Sequence, residues 1–213
     1  MDFRISDLNS VFLKERNDTG LLIVIAGFDG SGKTTQIEAI ANEYRKRSRK
    51  VLVTAQPTEW FRKQPINRHF MANSGTEMHA RILALMSAAD RLRHVHEVII
   101  PALNEGKVVI CDRYIYTTFG LFIHRGIESS FISEINKGLP KPDYAFYLNV
   151  PPEVLMQRLI KRDNGCLKYE EQEIDRIVSI TSAYKKMSPQ LINIDGNQEI
   201  YQVTWDIMKY LFR

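Results

Sequence analysis

The stretch Leu21 to Gln36, LLIVIAGFDGSGKTTQ, constrains the fold more than any other part of the chain. It opens with an apolar, β-branched run from Leu21 to Ile25, which is typical of a strand buried on both faces. A helical pattern of apolar residues follows from Gln36 to Tyr44. Between them lies a glycine-rich turn with the pattern G-x-x-x-x-G-K-[ST]. Strand, turn and helix in this order predict a phosphate-binding loop.

Each residue type in this loop has a physical role. Glycines allow successive backbone N–H groups to converge on phosphate oxygens at the positive end of the helix. We expect Lys33 to bridge the terminal phosphates and the Thr34 hydroxyl to bind Mg²⁺. A glycine-rich turn with a solvated lysine is the alternative. The predicted nucleotide-binding residues are Gly27, Asp29, Gly30, Ser31, Gly32, Lys33, Thr34 and Thr35.

Length and charge limit the classes of protein. The chain has 213 residues and a net charge of only +4. Its length suits one α/β domain, predicted over 21–213, after an extension over 1–20 with a short helix near 8–13 that packs outside the main fold. The basic cluster Arg45 to Lys50 closes the first predicted helix without interleaved aromatic residues, so no nucleic-acid polymer is expected as a partner.

Apolar runs and cysteines indicate a compartment. No run approaches the length of a membrane span, and the first 20 residues lack the features of a signal peptide. The two cysteines, Cys111 and Cys166, suggest neither a disulfide framework nor a metal cluster. We therefore expect a cytoplasmic protein with no membrane partner.

Further short apolar runs predict the other strands of a sheet. A long helical pattern separates two of them at 78–103, and Pro151-Pro152-Glu153 opens another helix that runs to about residue 162. This alternation predicts an α/β fold with a five-stranded, mostly parallel sheet, helices on both faces and ligands at the carboxyl ends of the strands. The four further strands are predicted at 51–54, 108–112, 144–150 and 191–194.

The third predicted strand ends in Asp112 and Arg113, at the same edge of the sheet as the phosphate-binding loop. Asp112 is placed to hold Mg²⁺ directly or through water, and the planar fork of Arg113 to bind a phosphate. A structural ion pair between neighbouring strands is the alternative. The presence of a phosphate-binding loop in the same domain favours the functional interpretation.

Three blocks together resemble thymidylate kinases in their order and spacing: FDGSGKTTQ, AADRLRHVHEVIIPALNEGKVVICDRY and GLPKPDYAFYLNVPPEVLMQRLIKR. The resemblance covers about 22–207 and implies a P-loop kinase fold. It implies reversible transfer of the γ-phosphoryl group of Mg-ATP to the 5′-phosphate of dTMP, through positioning and charge neutralisation. It also implies a homodimer paired through the long helix, and adenine recognition near Asp195-Gly196-Asn197.

The resemblance assigns roles to single residues. Lys33 and Thr34 match the donor-phosphate and magnesium positions, and Arg113 matches the clamp on the acceptor phosphate. Asp29 matches a carboxylate near the acceptor 3′-hydroxyl, and Arg91 matches an arginine facing the acceptor base. A helix cap and a surface residue are the respective alternatives for Asp29 and Arg91. The acceptor-binding residues so implied are Asp29, Gln56, Arg91, Arg113, Tyr114 and Thr118.

Family members carry a lid, expected here over 158–171, which covers the transferring group. The needed cation comes either from the phosphate-binding loop or from the lid, and this loop has Ser31 and no arginine. Arg158, Arg162 and Lys168 are the lid candidates, with Lys168 at a position where the family has arginine. Lysine keeps the charge but loses the bidentate fork. The predicted catalytic residues are Lys33, Arg113, Arg162 and Lys168.

The acceptor pocket departs from the family pattern in three places. Arg-Glu-Pro is replaced by Ala55-Gln56-Pro57, the thymine-stacking phenylalanine by Ser87, and Ser-Ser-x-Ala-Tyr-Gln by the segment 117–122. dTMP is the default acceptor, although these changes remove stacking and hydrogen-bonding groups. Aromatic residues that could rebuild the base site are Trp60, Phe70, Tyr116, Phe119 and Phe122.

Two other functions remain open at this point. The segment from Gln56 to Trp60 is similar to deoxynucleoside kinases, but Gln56 cannot act as the base that their glutamate supplies. A nucleotide-binding switch without transfer chemistry is the second alternative. Asp112-Arg113 argues against a switch because it suits a second phosphate.

Overall fold

A computed structural model describes residues 3–72 and 76–212. Its sheet has the order β2-β3-β1-β4-β5, and every neighbouring pair of strands is parallel. The predicted α/β fold is therefore confirmed, and each predicted strand agrees with the observed one to within a residue at either end. The strands are Leu21–Ala26 (β1), Val51–Ala55 (β2), Val108–Asp112 (β3), Tyr144–Asn149 (β4) and Ile192–Asp195 (β5).

Alternation along the central strands creates a core on each face of the sheet. Leu22 and Val24 of β1 contribute to the larger core, whereas Ile23 and Ile25 contribute to the other. All four are fully buried because successive side chains of a strand point to opposite faces, and helices cover both. This burial holds β1 rigidly beneath the loop that follows it.

Helices pack on the two faces of this sheet. Among the described residues they are Ile5–Asn9 (α1), Lys33–Lys46 (α2), Glu59–Arg62 (α3), Pro65–Ala72 (α4), Glu77–His94 (α5), Ile100–Asn104 (α6), Ile115–His124 (α7), Ser129–Glu134 (α8), Pro152–Asp163 (α9), Ile174–Lys186 (α10) and Ile200–Leu211 (α11). Within that part of the chain, none combines the length and apolar character needed to cross a bilayer.

The long helix predicted from 78 to 103 consists of α5 and α6, joined by a turn of π-helix at Val95–Ile99. Thr76 caps its start, where its hydroxyl accepts from the backbone N–H of His79. The extra residue of a π-turn shifts the helical register, and such turns often occur at functional sites. His94, the last residue of α5, lies directly before it.

The segment before β1 differs from the expectation. Its helix is Ile5–Asn9 and not residues 8–13, because the chain beyond it pairs with the loop after α8: Leu13 N–H donates to the Leu139 carbonyl at 2.8 Å. The expected packing outside the main fold is also wrong. Leu8 and Val11 are fully buried within the larger core.

Candidate active site

The loop between β1 and α2 has the backbone geometry of an anion cradle. Gly27 has φ +153°, and a Cβ there would lie 2.6 Å from Ser31 Oγ, so only glycine fits. Gly32 has φ +90° and caps α2, whose first residue is Lys33. Lys33 Nζ donates to the Phe28 carbonyl at 3.0 Å, which holds the buried ammonium beneath the loop. Thr34 and Thr35 are exposed at the helix start.

Asp29 is the centre of the charged part of the site. Its Oδ2 lies 2.8 Å from Lys168 Nζ, its Oδ1 lies 3.6 Å from Lys33 Nζ, and Arg113 Nη2 donates to the same Oδ1. Burial favours a neutral carboxyl, but Arg113, Lys33 and Lys168 outweigh it and hold the pKa of Asp29 well below its usual range. We name Asp29, Lys33, Arg113 and Lys168 the Asp29 cluster.

The same contacts shift the pKa values of the three cations. Burial, followed by the nearby charge of Arg113, lowers the pKa of Lys33 to about 8. Burial opposes the charge of Arg113 and of Lys168, but acidic groups that include Asp29 and Glu171 outweigh it, so the pKa of both cations is raised. Asp29 thus favours the charged form of all three cations, and Lys33 is the one whose pKa nevertheless falls below its ordinary value.

Asp112 is the last residue of β3 and Arg113 follows it at the carboxyl edge of the sheet, as predicted. The Arg113 N–H donates to the Ile25 carbonyl at 2.9 Å, which extends the pairing of β3 with β1. Arg113 and Tyr114 have φ of +75° and +113°, a rare conformation for residues other than glycine. Such backbone strain concentrates at functional sites. The Tyr114 hydroxyl donates to the Pro140 carbonyl at 3.1 Å, and Tyr114 also lines the cavity described below.

Two buried oxygens, Ser31 Oγ and Asp112 Oδ1, have no hydrogen-bond partner among the described residues. An unpaired buried carboxylate oxygen is costly, and it suits a cation or an ordered water. Asp112 lies close enough to Lys33 for its carboxylate to favour the charged form of the lysine. The Asp112 carboxylate and the Thr34 hydroxyl are hard oxygen ligands of the kind Mg²⁺ prefers, so these residues fit the ion.

A cavity of about 470 Å³ lies next to the Asp29 cluster. Asp29, Arg113 and Lys168 line it together with Asp112, as do residues of α3, α4, α5 and α7. Phe70 and Phe122 line it as predicted, whereas Tyr116 and Phe119 are not among its lining residues and belong to the core. Trp60 also lies outside the lining. Aromatic walls that the sequence did not reveal are Phe61 and Tyr184.

Arg91 is buried in the wall of this cavity. Its Nε donates to Gln56 Oε1 at 3.1 Å, its Nη1 to Asn136 Oδ1 at 2.5 Å, and its Nη2 to Thr118 Oγ1. All three partners are neutral, and burial lowers the pKa of Arg91 to about 10. We name Arg91, Gln56, Thr118 and Asn136 the Arg91 cluster. The structure thus links the predicted acceptor-binding residues Gln56, Arg91 and Thr118 by hydrogen bonds, and Asn136 is a further partner that was not predicted.

The lid candidates lie in different places. Lys168 joins the Asp29 cluster, and Arg158 Nη1 donates to the Gly30 carbonyl of the loop at 3.3 Å. Arg162 forms a two-pronged pair with Asp163, at 2.7 and 2.6 Å, and does not line the cavity. The structure therefore brings Lys168, not Arg162, to the predicted catalytic residues.

Arg125 connects the lid to α4, which lines the cavity. It forms an ion pair with Glu170 in which both side chains are more than nine-tenths buried. Its guanidinium carbon lies 3.9 Å from the ring centre of Phe70 on α4 and 4.5 Å from that of Tyr169. Neither Arg125 nor Glu170 was predicted, because the sequence does not show that two charges 45 residues apart meet in the fold.

The fold and loop define a P-loop kinase that acts on nucleoside monophosphates, and comparison with known proteins identifies its family. A model of thymidylate kinase matches residues 25–207, so the chain belongs to the thymidylate kinase family. A probable thymidylate kinase of Pyrococcus horikoshii is 34% identical over 199 residues, which cover 89% of this chain and 94% of that protein. A thymidylate kinase of Acholeplasma laidlawii is 32% identical over 210 residues, which cover 90% and 100%.

Proposed function

We propose that this chain transfers the γ-phosphoryl group of ATP to the 5′-phosphate of dTMP. The observation that carries the proposal is the Asp29 cluster, which gathers a cation of the phosphate-binding loop, one of the β3 edge and one of the lid. Three of its members, Asp29, Arg113 and Lys168, line the cavity. Cations in this arrangement neutralise two phosphates that approach each other, which is the main task in phosphoryl transfer.

Each member of the cluster has one task. Lys33 holds the terminal phosphates of the donor, and Arg113 binds the acceptor phosphate with its planar fork. Lys168, which contacts the other carboxylate oxygen of Asp29, stabilises charge on the transferring group. Asp29 holds all three cations in place before the substrates bind, so that little reorganisation remains during the reaction.

Thr34 and Asp112 would hold Mg²⁺, in keeping with the unpaired Asp112 Oδ1. When bound, this ion neutralises charge on the donor phosphates. Gly27, Gly30 and Gly32 shape the backbone that faces the same phosphates. Ser31 and Thr35 complete this loop, and no covalent enzyme intermediate is required.

The cavity supports dTMP as the acceptor. Phe61, Phe70 and Phe122 provide apolar walls for a base, and the Arg91 cluster provides buried N–H donors. The relatives named as thymidylate kinases favour a thymine base. Gln56 is occupied within the Arg91 cluster and cannot act as a general base, which disfavours phosphorylation of a free nucleoside.

We also propose a cytoplasmic homodimer. Met78, Ile82 and Leu85 form an apolar stripe along α5, with 66%, 36% and 48% of their surface exposed. The exposed Cys166 suits a reducing compartment. Light scattering should give twice the mass of one chain, and Leu85→Glu should give a single chain.

A bisubstrate dinucleotide, adenosine linked to thymidine through a polyphosphate, tests the function directly. A kinase that holds both nucleotides should bind it at least about 100-fold more tightly than ATP. Arg113→Ala should weaken the dinucleotide about 100-fold and leave ATP within about three-fold, since only the acceptor phosphate loses its partner. Equal affinity of the wild type for the dinucleotide and ATP would contradict the proposal and favour a nucleotide-binding switch.

A further inference from the structure

A chain of hydrogen bonds runs from β2 to the Arg91 cluster. Thr54 Oγ1 lies 2.8 Å from Nε2 of His94, and Nδ1 of His94 lies 3.0 Å from Nε2 of Gln56. The oxygen of the same amide accepts from Arg91 Nε at 3.1 Å. His94, Gln56 and Arg91 are each at least 95% buried. Water is therefore largely excluded from these bonds.

Donors and acceptors along this chain can be assigned by chemistry alone. Arg91 Nε–H can only donate, so the Gln56 atom facing it must be the oxygen, and the amide nitrogen must face His94. An amide nitrogen can only donate, so Nδ1 of His94 must accept and carries no proton. The imidazole therefore has its proton on Nε2 and donates to Thr54.

We propose that His94, held as the neutral Nε2–H tautomer, is a positioning residue that acts through Gln56 to orient Arg91 in the acceptor cavity. The proposal rests on the proposed function, in which Arg91 faces the acceptor base. Gln56 offers a single oxygen, which can accept from Arg91 or from a protonated imidazole but not from both. Protonation of His94 would turn the amide and direct its nitrogen at the guanidinium.

Burial favours the neutral form of the imidazole, while the charges around it act in both directions. Asp90, Arg93, Arg91 and Glu97 act on it from its own helix and the turn that follows, and β2 and its end contribute the neutral Thr54 and Gln56. Burial lowers the pKa of His94, with Asp90 opposing it and Arg93 and Arg91 adding to it. Asp90 itself accepts from the Thr58 N–H at 2.8 Å.

The consequence is a pH dependence confined to the acceptor. Because the pKa of His94 in the fold lies below its ordinary value of 6.5, the imidazole stays neutral at pH 7 and gains a proton only in more acidic solution. The phosphate of dTMP also gains a proton near a pKa of about 6, so the KM for dTMP should rise more steeply with falling pH in the wild type than in His94→Asn, whose side chain does not titrate. The KM for ATP should show no such difference between the two proteins.

Nitrogen NMR of the unliganded protein tests the tautomer without any assay of activity. The spectrum of the His94→Asn variant identifies the signal of His94 among the five histidines. The wild type should show an unprotonated Nδ1 and a protonated Nε2 at neutral pH. In Gln56→Glu, two carboxylate oxygens can accept from Arg91 and His94 together, so the imidazole should become doubly protonated. A protonated Nδ1 in the wild type would overturn the proposal.

Kinetics of two matched variants test the positioning. His94→Leu removes the acceptor for the Gln56 amide and should raise the KM for dTMP about ten-fold, with kcat and the KM for ATP within about two-fold. In His94→Asn the side-chain oxygen replaces Nδ1 as the acceptor, so the KM for dTMP should return to within about three-fold of the wild type. An unchanged KM for dTMP in a folded His94→Leu variant would overturn the proposal.

If His94→Leu does not fold, the proposal is tested by the KM for dTMP of His94→Asn and by the tautomer that NMR shows for the wild type. A ten-fold rise in the KM for dTMP in His94→Asn, despite its retained acceptor, would contradict the orienting role. Failure of the wild type to phosphorylate dTMP would instead refute the proposed function, and the NMR result would stand separately.

Discussion

Removal of the charge of Lys168 should abolish most of the activity while leaving the protein folded. Methionine keeps the unbranched stem, so Lys168→Met removes the ammonium alone. The Nζ atom lies 2.8 Å from Asp29 and 3.4 Å from Glu171. Asp29 retains Arg113 and Lys33 in the variant, and Glu171 still accepts from the backbone N–H of residue 168, at 3.0 Å in the wild type.

For Lys168→Met, the expected loss of kcat is much larger than the expected loss of stability. The Lys168 side chain is 48% exposed, and an ion pair screened by water contributes at most about 1 kcal/mol to the free energy of unfolding. The melting temperature should therefore fall by no more than about 4 °C. Loss of a group that stabilises transition-state charge costs about 100-fold to 1,000-fold in kcat, or about 3–4 kcal/mol.

Steady-state rates of ADP formation at saturating ATP and dTMP measure this loss. Arg162→Met is the matched control, because it removes a lid cation that pairs with Asp163 on the surface, and its kcat should stay within about two-fold. Lys168→Arg should keep most of the activity, since the charge is retained. A kcat of Lys168→Met within about two-fold of the wild type, or an equal loss in Arg162→Met, would refute the role of Lys168.

Three further predictions follow from burial and charge. Leu8→Ala should lower the free energy of unfolding by about 2–5 kcal/mol in a denaturant titration, because Leu8 is fully buried; a loss below about 1 kcal/mol would contradict the integration of the N-terminal segment. Arg125→Gln should lower the same quantity by about 3–5 kcal/mol, since it leaves Glu170 buried without its partner, and a neutral result would contradict that burial. ATP binding at pH 8.5 should take up a proton, because the Lys33 pKa of about 8 rises beside phosphate and binding therefore weakens at higher pH. Calorimetry in two buffers of different ionisation enthalpy measures this uptake, which Lys33→Met should abolish and whose absence in the wild type would contradict the prediction.

Burial explains why the sheet could be predicted from sequence. A strand covered on both faces needs a continuous apolar run, and 108–111 is such a run between Lys107 and Asp112. The phosphate-binding loop could be predicted for a similar reason, since glycine is needed where φ is positive or the backbone is crowded, as at Gly27. Both features depend on residues that are adjacent in the chain.

Contacts between distant segments could not be predicted in this way. The pairing of Asp29 with Lys168 joins residues 139 apart, and that of Arg125 with Glu170 joins residues 45 apart. The order of charges along the chain does not specify which of three lid cations turns inward. The N-terminal helix was placed too late because Phe12 contributes to the apolar pattern but forms a bridge with Leu139.

The contacts of Arg91 in the acceptor cavity could not be predicted from the sequence either. Arg91 was assigned to the base site from the family pattern. Its support by Asn136 and its link through Gln56 to His94 depend instead on how α5 meets the segments that follow β2 and α8. Nothing in the segment RLRHVHEV separates the buried His94 from the exposed His96, because the π-turn directly after α5 alters the helical spacing.

Mass spectrometry of the reaction products tests the central claim most directly. The enzyme would be incubated with Mg-ATP carrying ¹⁸O in its γ-phosphoryl group and with an equimolar mixture of all common ribonucleoside and deoxyribonucleoside monophosphates. The account predicts dTDP with the labelled group, formed in equal amount with ADP and faster than any other diphosphate. Labelled inorganic phosphate without any nucleoside diphosphate, or a different diphosphate as the main product, would contradict it.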